Sequence, residues 1–182
     1  MSADPATGAG TGAKGGSWLW GPFSRLGLLV VAATFLIDQA NKLWLLDIYG
    51  IAERGRVAVT PFFDLVYVKN IGISYSLFDQ ESYTGQLLLA GFGLVASLVL
   101  WVWLARGGNR LMAVSLGLII GGALGNALDR VRLGGVADFY SLHAFGFYWY
   151  VFNIADVAIV AGVIGLLYDS LVTSRNDAAK PL

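Results

Sequence analysis

Four long apolar runs dominate this sequence. Each is about 18 to 22 residues long, and at roughly 1.5 Å per residue a helix of that length crosses the ~30 Å hydrocarbon core of a bilayer. Hydrophobic residues make up 57% of the chain and charged residues only 13%, which is too apolar for a soluble domain of this size. The runs are Leu26 to Leu46, Gly85 to Ala105, Leu111 to Leu128 and Val151 to Val172. They predict an all-α membrane protein built as a four-transmembrane-helix bundle.

Composition excludes several classes of function. Lys plus Arg number 12, as do Asp plus Glu, so the chain has no basic surface of the kind that binds nucleic acid. Cysteine is absent and His143 is the only histidine, which leaves little scope for a zinc site or a Ser-His-Asp triad. We therefore expect no nucleic-acid partner, no metal and no other cofactor. His143 lies between apolar residues, and we interpret it as interfacial rather than catalytic.

We interpret the chain as one membrane-embedded domain, residues 18–175, between two tails. Residues 1–17 are mostly Gly, Ala, Ser and Thr and predict a disordered N-terminal tail, and residues 176–182 form a C-terminal tail. The first apolar run is too long for the core of a cleavable signal peptide and contains Asp38, Asn41 and Lys42. We expect this run to stay in the membrane.

The connection from Asp47 to Thr84 contains the stretch VAVTPFFDLVYVKN. Its Val, Phe and Tyr residues favour strands and its proline suits an edge strand, which predicts a small extracytoplasmic β-sheet between helices one and two. Six Lys and Arg residues on the opposite side, against five on this side, favour both termini in the cytoplasm. In the third run, Gly117, Gly121 and Gly125 form a small-residue stripe that predicts close helix packing.

Polar residues gather at one end of the predicted bundle. In a four-span chain, the loops after the first and third helices lie on the same membrane face, together with the helix ends that adjoin them. Each ionisable group at membrane depth costs about 2.5 to 3.5 kcal/mol on insertion scales, so a cluster on one side predicts a functional site. The residues placed there are Lys42, Asn70, Asn126, Asp129, Asp138, Asn153 and Asp156.

Two of the acidic residues have structural interpretations. Asp38 and Lys42 are four residues apart on one helix face, where they can pair with each other. Asp129 is interpreted as a structural partner of Arg130 or Arg132.

Two other acidic residues are candidates for catalysis. Asp156 follows Asn153 by three residues, a spacing that suits a helix cap and a catalytic role equally. Asp138 follows a glycine turn and is not placed to cap a helix. Two carboxyl groups close together in a low-dielectric site leave one as a carboxylate base and the other as an acid, which is the pairing that peptide hydrolysis needs. The spacing between the two residues allows such a site.

Four blocks of sequence resemble one known family. The stretches GGALGNALDRVRLGGVADFY at 121–140 and FNIADVAIVAG at 152–162 are similar to the two signature blocks of lipoprotein signal peptidases, also called signal peptidase II. DQANK at 38–42 and NIGISYSLF at 70–78 agree with the family in order and position. The resemblance covers about residues 25 to 172. One departure is Ser74-Tyr75, where family members often have Ala-Phe, and it bears on substrate fit.

The resemblance implies an aspartic endopeptidase with Asp138 and Asp156 as its catalytic pair. The substrate it implies is a diacylglyceryl-modified prolipoprotein, cut on the N-terminal side of the lipidated cysteine, with membrane lipid as the other partner. It further implies a bacterial inner membrane location, with the active site near the periplasmic face. The family's supporting polar residues fall on Asp38, Lys42, Asn70, Gly72, Asn126, Arg130 and Asn153.

Three other interpretations stay open at this point. A Ser-Lys peptidase would use Lys42 as the base and Ser74 or Ser76 as the nucleophile. A small ion or proton transporter would use Asp38, Lys42 and Asp156 as a relay, although a transporter is expected to spread polar groups through the membrane depth. A structural or lipid-binding bundle would explain the glycines and the aromatic residues but not the two acids.

Overall fold

The fold is a bundle of long helices beneath a small sheet, and the computed structural model describes residues 18–72 and 82–178. Four helices in this part of the chain are long and apolar enough to cross a membrane, which confirms the four predicted runs. A π-helical turn, Trp44–Ile48, continues the first of them, and the short helix α2 (Ile51–Arg54) follows. The predicted tail 1–17 lies outside the described residues. The long helices are α1 (Ser24–Leu43), α3 (Tyr83–Arg106), α4 (Arg110–Leu133) and α5 (Ile154–Ala178).

Helix α4 is central and packs against α1, α3 and α5. Its glycine stripe faces α1, where a Cβ atom on Gly121 would lie 2.7 Å from the Cβ of Thr34 and 2.8 Å from the backbone oxygen of Val31. A Cβ atom on Gly125 would meet the carboxylate of Asp38. A side chain at either position would force the helices apart, so the predicted packing role of the glycines is confirmed. The close approach also brings Asp38 directly against α4.

The outward faces of the helices are apolar. Leu29, Phe92, Leu98, Ile164 and Leu171 are between 60% and 73% exposed. Exposing this much apolar surface to water costs free energy, whereas exposing it to the hydrocarbon of a bilayer does not. These surfaces are therefore suited to contact with lipid.

A four-stranded antiparallel sheet covers one end of the bundle. Its strands are β1 (Val57–Thr60), β2 (Phe63–Asn70), β3 (Val136–Ala144) and β4 (Phe147–Phe152), paired in that order. The prediction that the sheet lies between helices one and two is only half right, because β3 and β4 come from the connection between α4 and α5. The connection between α1 and α3 and the connection between α4 and α5 lie at the same end of the bundle, because two spans separate them. This lets β2 pair with β3.

Local turns shape both halves of the sheet. Pro61 lies in the turn between β1 and β2 and not within an edge strand as predicted, since a turn needs no N–H from it. Phe145 and Gly146 form the β3–β4 turn with φ values of 51° and 80°. The sheet packs on an apolar cluster that includes Leu45, Ile51 and Phe139, which fixes the sheet to the end of α1.

The chain passes directly from α4 into the strand that carries Asp138. Gly134 ends the helix with φ 68°, and its N–H donates to the backbone oxygen of Arg130. A left-handed residue of this kind is strongly favoured to be glycine. Strand β3 begins two residues later, so Asp138 lies in a strand and not in a loop as the sequence suggested. A paired strand holds its side chains in more fixed directions than a loop does.

Candidate active site

Asp138 is the third residue of β3 and its side chain is buried. Val68 of β2 is its partner in the antiparallel register. The Asn153 side-chain Nδ2 donates to one carboxylate oxygen of Asp138 at 2.6 Å, and the Asn70 Nδ2 donates to the other at 3.1 Å. Two amides from different parts of the chain therefore fix the orientation of this carboxyl group.

The environment of Asp138 favours its neutral form. Burial, and secondly the nearby charge of Asp156, raise the pKa of Asp138 to about 7 from an ordinary value of 3.8. The hydrogen bonds from Asn153 and Asn70 and the charge of Lys42 act in the opposite direction and are weaker. At pH values below about 7, Asp138 is therefore mainly a carboxylic acid that can donate a proton.

Asp156 is the third residue of α5 and takes part in a reciprocal cap with Asn153. The backbone N–H of Asn153 donates to Asp156 Oδ2 at 3.1 Å, and the backbone N–H of Asp156 donates to Asn153 Oδ1 at 3.0 Å. The capping role predicted for this pair is confirmed. The other oxygen of Asp156 accepts from the Asn126 Nδ2 at 3.0 Å, so the residue also faces α4.

Asn153 joins the two acids. Its side chain is fully buried, and its Nδ2 donates to Asp138 and also to Asn126 Oδ1, at 3.2 Å in the second case. Because Asn126 donates to Asp156, both carboxyl groups belong to one continuous hydrogen-bond network. The structure thus brings Asp138, Asp156, Asn126, Asn153 and Asn70 together.

A buried ion cluster lies beside this network. The Lys42 Nζ is 2.8 Å from Asp38 Oδ2, which confirms the predicted pair, and 2.7 Å from Asp129 Oδ2. The prediction that Asp129 pairs with Arg130 or Arg132 is wrong, because Asp129 turns toward α1. Lys42 also donates to Asn126 Oδ1 at 3.2 Å, so the cluster touches the network that holds Asp156.

Arg130 ties the start of the connection between β2 and α3 to the bundle. Its Nη2 donates to the backbone oxygen of Gly72 at 2.9 Å, and its Nη1 donates to the backbone oxygen of Asn126 at 3.3 Å. The Gly72 N–H in turn donates to Asn70 Oδ1 at 3.1 Å. This chain of contacts orients Asn70 so that its amide nitrogen points to Asp138. Ser74 and the residues up to 81 lie outside the described part of the chain.

Two features of the surroundings were not predicted. Gln39 donates from Nε2 to both Asp38 and Asp129, at 3.1 Å each, and its position within the DQANK block was the only signal for it. His143 was expected to be interfacial, and it lies 3.2 Å from Asp64 on the sheet. It is not in the network of Asp138 and Asp156.

An apolar groove lies beside α5, and Asp156 is among the residues that line it. Its volume is about 400 Å³. Trp149 and Phe152 of β4 and Val157 and Ile164 of α5 are among the residues that line it. A flexible apolar chain lying in this groove would pass next to the Asp156 carboxylate.

Two linked carboxyl groups lie at one end of a four-helix bundle, and comparison with known proteins shows the family of the chain. A family model described as signal peptidase (SPase) II matches residues 30–172. This chain belongs to the signal peptidase II family. The family assignment makes it a peptidase and a multi-pass membrane protein, in agreement with its four apolar helices.

Relatives and solved structures agree with this membership. A lipoprotein signal peptidase of Methylocella silvestris is 55% identical over 151 residues, covering 83% of this chain and 88% of the relative. One from Beijerinckia indica is 50% identical over 156 residues, covering 86% and 93%. A bacterial membrane enzyme solved by the in meso method superimposes with a TM-score of 0.72 at 26% identity, covering 90% of this chain and 98% of that chain.

The contacts of Lys42 and the family membership bear on the other interpretations of the sequence. Lys42 is held by two carboxylates and an amide, which makes it a poor general base for a serine nucleophile, and Ser74 and Ser76 lie outside the described residues. Within residues 18–72 and 82–178, no group of three or more His, Asp or Glu side chains is placed to hold a metal ion. Membership in a peptidase family favours hydrolysis over transport or a purely structural role.

Proposed function

We propose that this member of the signal peptidase II family is an aspartic endopeptidase whose catalytic groups are Asp138 and Asp156. The observation that supports this most strongly is the shared hydrogen-bond network, in which the buried Asn153 bonds to both acids. The raised pKa of Asp138 adds to it, because one neutral and one ionised carboxyl group are needed at the same pH.

In the proposed reaction, Asp156 is the base and Asp138 is the acid. Asp156 takes a proton from a water molecule, whose oxygen adds to the carbonyl carbon of the scissile peptide, while Asp138 donates its proton to the carbonyl oxygen. The resulting tetrahedral intermediate collapses when the C–N bond breaks: the leaving nitrogen takes the proton held by Asp156, and as the carbonyl re-forms one hydroxyl proton returns to Asp138. A carboxylate in the first turn of a helix interacts favourably with the helix dipole, which suits the role given to Asp156.

We propose diacylglyceryl-modified prolipoproteins as the substrate, cut on the N-terminal side of the lipidated cysteine. The relatives named above carry the name lipoprotein signal peptidase. The apolar groove beside α5 supports the same assignment, because Asp156 is among its lining residues and the groove offers acyl chains an apolar surface next to the carboxyl groups. Membrane lipid is the other expected partner, on the exposed faces of the helices.

We propose that the enzyme lies in the bacterial inner membrane with both termini in the cytoplasm and the active site near the periplasmic face. The sheet, both of its connections and the two acids lie at one end of the bundle. Arg106 and Arg110 flank the short turn between α3 and α4 at the opposite end. Their positive charges favour the cytoplasmic side for that turn.

The test uses the full chain in lipid nanodiscs with two precursors that differ only in the diacylglyceryl group on the cysteine. The reaction is run in ¹⁸O-labelled water with hydroxylamine present to trap any acyl-enzyme, and the masses of both products are measured by mass spectrometry. We expect cleavage of the lipidated precursor before its cysteine, one ¹⁸O atom in the new carboxyl group and no hydroxamate. Equal cleavage of both precursors would contradict the substrate, and a hydroxamate product would contradict direct attack by water.

A further inference from the structure

Two backbone N–H groups next to the proposed catalytic acids donate to a second pair of carboxylates. The N–H of Ala155 donates to Asp38 Oδ1 at 3.0 Å, and the N–H of Ala137 donates to Asp129 Oδ2 at 3.2 Å. Both alanines are fully buried. Each alanine immediately precedes one of the proposed catalytic residues, so each of these bonds fixes the backbone where a catalytic side chain begins.

The second pair of carboxylates is held together across one cation. Asp38 lies on α1 and Asp129 on α4, and the Lys42 Nζ contacts both at 2.7 to 2.8 Å. The Gln39 Nε2 donates to both at 3.1 Å. The distance between the two carboxylates is therefore set by Lys42 and Gln39, which both belong to α1.

We propose that Asp38 and Asp129, bridged by Lys42, are positioning residues that set the spacing between the two catalytic carboxyl groups. Asp38 fixes the first turn of α5 and Asp129 fixes the start of β3, so the bridge couples the two backbone segments that carry the catalytic side chains. This inference rests on the catalytic roles proposed above. It assigns Asp129 a role in the reaction in addition to its role in packing.

The site requires an acceptor at both oxygens of each positioning residue. Asp38 accepts from Ala155 with one oxygen and from Lys42 and Gln39 with the other. Asparagine would turn an NH₂ group toward one of these donors, so one bond of the bridge would be lost. A displacement of about 1 Å in a reacting group costs on the order of 10²-fold in rate, so a small shift at Ala155 has a measurable effect.

The first experiment measures kcat and KM of Asp38→Asn and Asp129→Asn in nanodiscs, per mole of folded enzyme and well below the melting temperature. We expect kcat to fall by about 10- to 100-fold with KM changed less than about twofold, because placement of the acids is altered and substrate contacts are not. Asp64→Asn is the matched control. Asp64 is another buried aspartate with two partners, Arg56 and His143, and its loss is expected to lower the melting temperature without changing kcat.

The second experiment removes only the N–H groups and leaves every side chain in place. Replacing Ala137 or Ala155 by lactic acid turns one amide into an ester, and we expect a lower kcat in each case. Ala113→lactic acid is the control, since the Ala113 N–H donates to the backbone oxygen of Asn109 at the opposite end of α4. It is expected to retain the parent kcat.

These outcomes separate this inference from the proposed function. Normal kcat in the two aspartate variants and the two esters, with only the melting temperature lowered, would overturn the positioning role while Asp138→Asn stays inactive. Activity in Asp138→Asn would instead overturn the catalytic assignment itself. If the aspartate variants do not fold, the ester variants alone decide the question.

Discussion

Replacing Asp138 or Asp156 by asparagine is expected to reduce the cleavage rate by a factor on the order of 10³ or more. Asparagine has nearly the same shape as aspartate but can neither accept the proton from water nor donate one to the carbonyl oxygen. The two acids work as one unit, so the double variant is expected to be no slower than the more damaged single variant. The measurement is single-turnover cleavage of the lipidated precursor by purified enzyme.

Asp169→Asn is the matched control for these variants. Asp169 lies on α5 like Asp156, but it accepts from the Asn109 side chain at the far end of the helix. We expect full activity from it. Cleavage at the parent rate by Asp138→Asn or Asp156→Asn, from protein that is folded, would exclude the aspartic mechanism.

Replacing Lys42 by methionine is expected to destabilise the fold by about 3 to 5 kcal/mol. Lys42 is the shared partner of Asp38 and Asp129, all three side chains are buried, and removing the cation leaves two carboxylates facing each other in a poorly solvated site. Methionine preserves much of the length and apolar volume of lysine, so the loss of folding stability measures the effect of removing the positive charge. The measurement is the free energy of unfolding, or the yield of folded protein in nanodiscs.

Lys69→Met provides the comparison for this prediction. Lys69 is an exposed residue of β2, and exposed substitutions usually change stability by less than about 0.5 kcal/mol. A double variant that also carries Asp129→Asn removes part of the repulsion and should recover stability relative to Lys42→Met. Equal stability of the Lys42 and Lys69 variants would show that the buried cation is not needed to balance the carboxylates.

The long helices were predictable from sequence because a bilayer demands continuous apolar runs and internally satisfied backbones. The packing of α4 on α1 was also predictable, since Gly117, Gly121 and Gly125 form a stripe at a helical spacing. The sheet was only half predictable. Strands β2 and β3 are about seventy residues apart in sequence, and nothing local in either one specifies such a partner.

The partner of Asp129 was missed for a geometric reason. Neighbouring helix residues point about 100° apart, because a turn contains 3.6 residues. Arg130 therefore turns toward Gly72, while Asp129 turns toward Lys42 on α1. The adjacent Arg130 therefore points away from Asp129, and the true partner of Asp129 became visible only once α1 and α4 were packed together.

The number of membrane spans predicted which residues lie together at the site, but it did not predict the hydrogen bonds between them. Counting spans places Asn70, Asp138 and Asp156 on one membrane face. It does not reveal that Asn153 bonds to both acids, or that Asp138 lies on a paired strand. These details depend on the register between β2 and β3, which places Val68 opposite Asp138 and brings Asn70 within reach.

An infrared titration of enzyme labelled with ¹³C-aspartate tests most directly whether Asp138 and Asp156 form one coupled pair. Burial and the charge of Asp156 raise the pKa of Asp138 to about 7, so a protonated carboxyl band should disappear as the pH rises through that value. The band should be absent in Asp138→Asn, and its midpoint should move to lower pH in Asp156→Asn, where the repelling charge is gone. An unchanged midpoint in Asp156→Asn, or no aspartate that titrates near neutral pH, would contradict the coupled pair.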